Sequence, residues 1–232
     1  MMSFLIGGLQ KTSLLDYPGK IAAIVFTQGC NFRCGYCHNP ELNKINSKKP
    51  VYTVPAFFEF LKNRTGKLDG VVITGGETCI QKDLKLFISK IKELGFLVKL
   101  DTNGSKPEVL SDLISSGLLD YIAMDIKAPL SKYCQVACAN VDTEKIKKSV
   151  EIIINSGVEY EFRTTAIKGQ LEVEDFTGIG ELISGARKYY LQKFIPTKIL
   201  DNSFLNKQTF SDSEFSRIVN FLKGKIELVS VR

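Results

Sequence analysis

Short apolar, β-branched runs alternate along the chain with longer segments of helical period. Runs of the first kind cover residues 21–27, 70–74, 97–101, 121–125, 159–165 and 189–194, with a seventh candidate at 226–229. Between them, apolar positions recur at helical spacing over 55–63, 83–94, 106–115, 142–155, 174–184 and 212–222. Gly95 and Gly157 supply glycine stops for two of these helices. The alternation predicts repeated βα units around a parallel sheet, hence an α/β fold. Six strands are too few for a closed eight-stranded barrel, so a partial, open (β/α)6-type barrel is expected, with a doubly wound sheet as the alternative. Right-handed crossovers would place every strand's C-terminal end on one face. No change of composition marks a second domain, and residues 1–232 are expected to form one. The polar stretch 37–54, with Lys48, Lys49 and Pro50, is expected to be a loop.

Composition narrows the class. A hydrophobic content of 44% over 232 residues suffices for a sizeable core. Lys and Arg number 31 against 25 acids, a net charge of +6 spread along the chain, which suits an anionic cofactor or an acidic partner as well as a solvated surface. The first nine residues are too short and too soon followed by Gln10 and Lys11 for a secretory signal, and no run of apolar residues is long enough to span a membrane. A cytoplasmic protein with no nucleic-acid or membrane partner is the expectation. Six cysteines in such a chain point to metal binding or catalysis before disulfides. With His38 the single histidine, mechanisms built on a histidine base beside a distant nucleophile have one candidate, and it adjoins a cysteine cluster.

That cluster is Cys30, Cys34 and Cys37, a C-x3-C-x2-C loop directly after the first predicted strand. Its glycines and polar residues let three thiolates converge, and thiolates select zinc or iron–sulfur clusters. Structural zinc takes four protein ligands, whereas a cubane cluster can leave one iron without one. A Cys3His zinc site using His38 stays open on spacing alone, although His38 directly follows Cys37. Buried free thiols are a further alternative.

The loop, with Tyr36 before its last cysteine, resembles the signature of the radical S-adenosylmethionine superfamily. Gly7-Gly8-Leu9-Gln10-Lys11-Thr12-Ser13, Asp16-Tyr17-Pro18-Gly19-Lys20 and Cys37-His38-Asn39-Pro40-Glu41-Leu42 are similar to the activating proteins of anaerobic ribonucleoside-triphosphate reductases, within the glycyl-radical activase group. Arg163-Thr164-Thr165 and Tyr189-Tyr190-Leu191-Gln192 continue the likeness, so it covers nearly the whole chain. It implies a [4Fe-4S] cluster on Cys30, Cys34 and Cys37, with S-adenosylmethionine on the open iron. It also implies a large glycyl-radical partner, the anaerobic reductase, and a low-potential electron donor such as flavodoxin or ferredoxin.

Other strand ends carry polar groups suited to that ligand. Thr74-Gly75-Gly76-Glu77 offers close backbone approach and a carboxylate for an ammonium, with an ordinary turn as the alternative. In the resembled family this segment holds the methionine amine, and Thr78 stands where proline is usual. The next two strands end in Asp101-Thr102-Asn103-Gly104 and Asp125-Ile126-Lys127, and if the latter strand persists Asp125 and Lys127 share a side. The resemblance assigns Lys127 to the bound nucleoside-methionine, and Asp101, Thr102 and Asp125 to a monovalent cation found in some activases. Capping by Asp101 and Asn103, and a structural Asp125–Lys127 ion pair, are the plainer readings. Arg163 suits a carboxylate or a barrel-mouth salt bridge, and Gln192 closes the sixth strand. Cys79, Cys134 and Cys138 are expected to be ordinary thiols or, for the last two, part of an accessory cluster.

The implied reaction is reductive cleavage of S-adenosylmethionine, followed by hydrogen abstraction from a partner's glycine. A radical enzyme acting on another glycyl-radical enzyme or on a small molecule such as a deazapurine precursor would share the cluster. A non-enzymatic zinc module would share only the cysteines.

Overall fold

The computed structural model describes residues 3–45 and 52–232. The stretch containing Lys48, Lys49 and Pro50 lies outside the described residues. The chain divides into two compact units, one drawn from Met1–Asn31, Glu41–Thr102 and Glu108–Ile122, the other from Phe32–Pro40, Asn103–Pro107 and Ala123–Arg232.

In the first unit, β1 (Ile6–Ser13) pairs antiparallel with β2 (Ala22–Thr27). Strand β2 then pairs parallel with β3 (Gly70–Gly75), and β3 with β4 (Leu97–Thr102). The register runs from Ala22 opposite Gly70 to Thr27 opposite Gly75, so both strands end together. One face packs Tyr17, Ala22, Ile24, Val72 and Tyr121 into a core flanked by Phe26 and Leu97. The helices are α1 (Val54–Lys62), α2 (Leu84–Glu93) and α3 (Pro107–Ser115). Thr53 caps α1 by accepting the Ala56 N–H at 3.3 Å, and Phe57 of α1 stacks on Phe87 of α2 at 5.1 Å.

Strand β1 has no counterpart in the hydrophobic pattern. Most of its residues are partly or fully exposed, and β2's backbone, not side-chain burial, holds it in place. A pattern of apolar positions carries no signal for such a strand.

Strand β5 (Tyr121–Asp125) crosses from one unit to the other between Ile122 and Ala123. In the second unit β6 (Glu159–Ala166), β7 (Lys188–Lys193) and β8 (Leu228–Val231) pair in parallel. The helices are α4 (Tyr133–Ala137), α5 (Thr143–Ile154), α6 (Asp175–Leu182) and α7 (Asp212–Leu222). Ser211 and Glu214 form a reciprocal capping box on α7. Gly95 beyond α2 and Gly157 beyond α5 have φ of +84° and +71°, the left-handed geometry expected of the two stops.

Candidate active site

Each unit holds part of the predicted constellation. In the first, β2 continues into Gly29 and Cys30, whose N–H groups donate to the carbonyls of Leu42 at 2.7 Å and Asn43 at 3.4 Å. The end of β3 is drawn against the end of β2: Gly76 N donates to Thr27 O at 3.0 Å and Glu77 N to Gly29 O at 2.8 Å. A Cβ on Gly76 would lie 1.9 Å from the Gly29 carbonyl oxygen, and one on Gly75, whose φ is +117°, 2.4 Å from Thr27 N. The two glycines thus permit one backbone to approach another at the root of the cysteine loop.

Glu77, 1% exposed, caps the 3-10 turn Thr78–Ile80. Its Oε1 accepts the Cys79 N–H at 2.9 Å and the Thr102 hydroxyl at 2.7 Å. Thr78 donates its hydroxyl to the Asp101 carbonyl at 2.8 Å, a tie that proline has no donor to make. Asp101 itself pairs with the ammonium of Lys99, which is buried at 2% exposure. Burial raises the Cys79 thiol's pKa well above its ordinary value, and the Glu77 carboxylate adds to the effect. Among the described residues the buried Asn43 Nδ2 has no hydrogen-bond partner, while the Asn43 carbonyl accepts the Cys30 N–H.

In the second unit, Cys34 and Cys37 close a turn through Cys37 N donating to Cys34 O at 3.0 Å, and Arg33 N anchors the loop to Ala137 O at 2.8 Å. Cys34 is buried and Cys37 partly exposed. Burial raises the Cys34 pKa, against the pull of the nearby Lys127 charge. Tyr36 lies buried with Lys127 Nζ 5.8 Å from its ring centroid, and its ring packs 6.1 Å from that of Phe204. Gly35 O accepts the Asp201 N–H at 2.9 Å, so the 3-10 turn Asn202–Asn206 is tied to the cysteine loop.

Strand β5 ends at Asp125, so Lys127 stands beyond the strand; its ammonium nonetheless reaches Asp125 Oδ2 at 3.0 Å. Arg163 Nε donates to the other oxygen at 2.9 Å. Burial alone would push the Asp125 pKa up; Arg163 and Lys127 outweigh it and hold the carboxyl below the usual range. Burial alone would likewise lower the Lys127 pKa, but Asp125 above all drives it well above normal. Glu161 extends the alternation of charge, 3.9 Å from Arg163 and 3.4 Å from Arg232. The Tyr133 hydroxyl donates to Asp125 O and accepts from Lys127 N, each at 3.4 Å.

Asn103 behaves as its plainer reading holds, its Oδ1 accepting the Ser105 N–H at 3.0 Å in a local turn. Gln192 sits opposite Thr165 just before the end of β7. His38 Nε2 donates to the Ile195 carbonyl at 3.1 Å. Cys134 Sγ accepts the Val141 N–H at 3.4 Å, and Cys138, with φ of +48°, ends α4. Among the described residues, no three of His, Cys, Asp and Glu group closely enough to hold one metal ion. Nor is any helix among them long and apolar enough to cross a membrane. No motif or spacing in the sequence singles out Lys99, Tyr133 or Phe204. Lys99 alone left a trace, a cation within an apolar strand two residues before Asp101.

Comparison with known proteins supplies the wider frame. A family profile described as the Radical SAM superfamily matches residues 24–181. A protein of Methanocaldococcus jannaschii named as a glycyl-radical enzyme activating enzyme is 34% identical, over 100% of this chain and 97% of its own. The pyruvate formate-lyase-activating enzyme of Clostridium pasteurianum is 31% identical over 53% of this chain and 52% of its own. The crystal structure of QueE from Escherichia coli superposes with a TM-score of 0.60 at 14% identity, covering 99% of this chain and 93% of that one. That likeness shows the expected fold class, α/β with parallel strands in a partial, open sheet. The chain therefore belongs to the radical SAM superfamily, enzymes of a [4Fe-4S] cluster and S-adenosylmethionine, and is homologous to glycyl-radical enzyme activating enzymes.

Proposed function

We propose that this protein installs a glycyl radical on a large partner enzyme, and that the partner is an anaerobic ribonucleoside-triphosphate reductase. The observation that carries the reading is the similarity to a glycyl-radical activating enzyme along the full length of this chain. The resemblance of Gly7-Gly8-Leu9-Gln10-Lys11-Thr12-Ser13 and Cys37-His38-Asn39-Pro40-Glu41-Leu42 to the reductase activating proteins supports the reductase as that partner. A low-potential flavodoxin or ferredoxin would serve as electron donor; both are acidic proteins as a class, and this chain carries +6.

The donor set fits the cofactors. All six cysteines are free thiols, and Cys30, Cys34 and Cys37 would hold the cluster. The buried Asn43 Nδ2, without a partner among the described residues, is an amide donor of the kind sulfur accepts, on the residue whose carbonyl holds the Cys30 N–H. When bound, the cluster and S-adenosylmethionine supply a one-electron reductive cleavage whose product takes a hydrogen atom from the partner's glycine.

The chain's own groups bind and orient. Cys34 must lose its proton to become a ligand, and Lys127 favours that loss against the cost of burial. Glu77, fixed by its turn and by Thr102, would accept the ligand's ammonium. Arg163 and Lys127, both held by Asp125, would receive its carboxylate or nucleoside. The Tyr36 ring, packed on Phe204, would keep water from the thiolates.

The test uses the reconstituted protein, reductant, S-adenosylmethionine and a candidate reductase deuterated at glycine. A glycyl radical signal on the reductase, with deuterium recovered in 5′-deoxyadenosine, is expected. Deuterium transfer only from pyruvate formate-lyase would move the assignment to another glycyl-radical enzyme. Transfer only from a small purine would overturn the activase reading.

A further inference from the structure

The family resemblance places a monovalent cation beside Asp101, Thr102 and Asp125, and in this structure all three groups are already engaged. Thr102 gives its hydroxyl to Glu77. Asp125 faces Lys127 and Arg163. Asp101 is in contact with the ammonium of Lys99, an ion pair whose side chains are 2% and 14% exposed. Lys99 and Asp101 lie two apart on β4 and so on one face of it, and the Tyr121 ring centroid stands 6.0 Å from the ammonium.

An ammonium group and a potassium ion are close in size and equal in charge, so one can stand for the other against a carboxylate. A lysine this buried is held in place by its counter-ion, since an unpaired charge there is strongly unfavourable. A second cation on Asp101 would be repelled by the first.

We infer that Lys99 is a built-in substitute for the monovalent cation at Asp101, and that this chain binds S-adenosylmethionine without potassium or sodium. The inference rests on the proposed binding of S-adenosylmethionine at Glu77, whose partner Thr102 is the neighbour of Asp101 on β4. It makes Lys99 a positioning residue, acting through Asp101.

The experiment measures S-adenosylmethionine affinity of the cluster-reconstituted protein by calorimetry, in potassium, sodium and tetramethylammonium chlorides of equal ionic strength. Equal affinity in all three is expected. Affinity that collapses in tetramethylammonium for the native chain overturns the inference while leaving the binding site standing. No binding in any of the salts overturns both. Lys99→Met should lose roughly tenfold in affinity in tetramethylammonium and recover in potassium, whereas Lys99→Arg should behave as the native chain. A Lys99→Met protein weakened equally in every salt would mark the ion pair as structural only, and would count against the inference. Should that variant fail to fold, the salt comparison on the native chain decides alone.

Discussion

The first unit holds the Glu77 carboxylate with uncharged hydrogen-bond donors, whereas the second holds its carboxylates with cations. Glu77 accepts from a backbone N–H two residues away and from a threonine hydroxyl, within a turn that the chain makes locally. Asp125 is gripped by two cations, one of them 38 residues away in sequence. The buried Lys99–Asp101 pair is the first unit's exception. In the second unit three cations, Lys127, Arg163 and Arg232, alternate with two carboxylates, Asp125 and Glu161. That surplus of positive charge suits an anionic group, and contacts between two full charges are screened by salt more than hydrogen bonds from uncharged donors are.

The largest expected effect ignores this difference. Alanine at Cys30, of the first unit, or at Cys34 or Cys37, of the second, should abolish iron and sulfide uptake completely. Cys79→Ala, Cys134→Ala and Cys138→Ala should each retain both. Normal iron content in any of the first three variants, or its loss on removing Cys134, would show that the ligand set is misassigned.

Next comes the ionic grip itself. Asp125→Ala takes the counter-charge from Lys127 and leaves Arg163 with Glu161 at 3.9 Å, and should cost about 2–3 kcal/mol, at the low end for a buried pair because Asp125 keeps some solvent contact. Since the folded-state pKa of Asp125 is depressed, its contribution is fully present above the unfolded value, about 4, and is lost as pH falls through the folded one. Urea unfolding of native and variant proteins should therefore differ constantly above pH about 4 and converge progressively as the pH falls from there toward the folded value. A gap that persists in acid would refute the charge account.

Ligand binding is tested on one residue from each unit. Glu77→Gln and Lys127→Met should keep the cluster but weaken S-adenosylmethionine binding roughly tenfold each, the worth of one charge-assisted hydrogen bond. Calorimetry showing full affinity in either variant would remove that residue from the ligand's contacts.

The smallest effect, a response to salt, sharpens the contrast. Thr102→Val deletes a hydrogen bond from an uncharged donor to the Glu77 carboxylate and should cost about 1.5 kcal/mol, with little change on adding molar salt. The Asp125 variant's deficit should shrink under the same salt. Equal salt dependence for the two would mean that they are not held by different physics.

Much of this was legible in the chain. The strands β2 to β7 and six of the helices follow from apolar period alone, because a buried element must show its partners one kind of side chain. The cysteine loop was legible because thiolate ligation constrains spacing and residue type together. Strand β1 was not, since its backbone pairs while most of its residues stay partly or fully exposed. Nor were the alternative partners of the strand-end residues. Gly75 and Gly76 read as room for a ligand, yet their spare volume is taken by the Thr27 to Gly29 backbone. Thr78 read as a departure from proline, yet its hydroxyl ties the turn to β4. By itself the sequence determined which residue types stand at the strand ends, because local pattern and spacing are properties of one stretch of chain. Only the tertiary structure decided which of them meet: that Arg163 shares Asp125 with Lys127, that Phe204 packs on Tyr36, and that Lys99 takes Asp101 for itself. Those pairings depend on distances between segments remote in sequence or on how a strand's face is filled, and no local pattern encodes either.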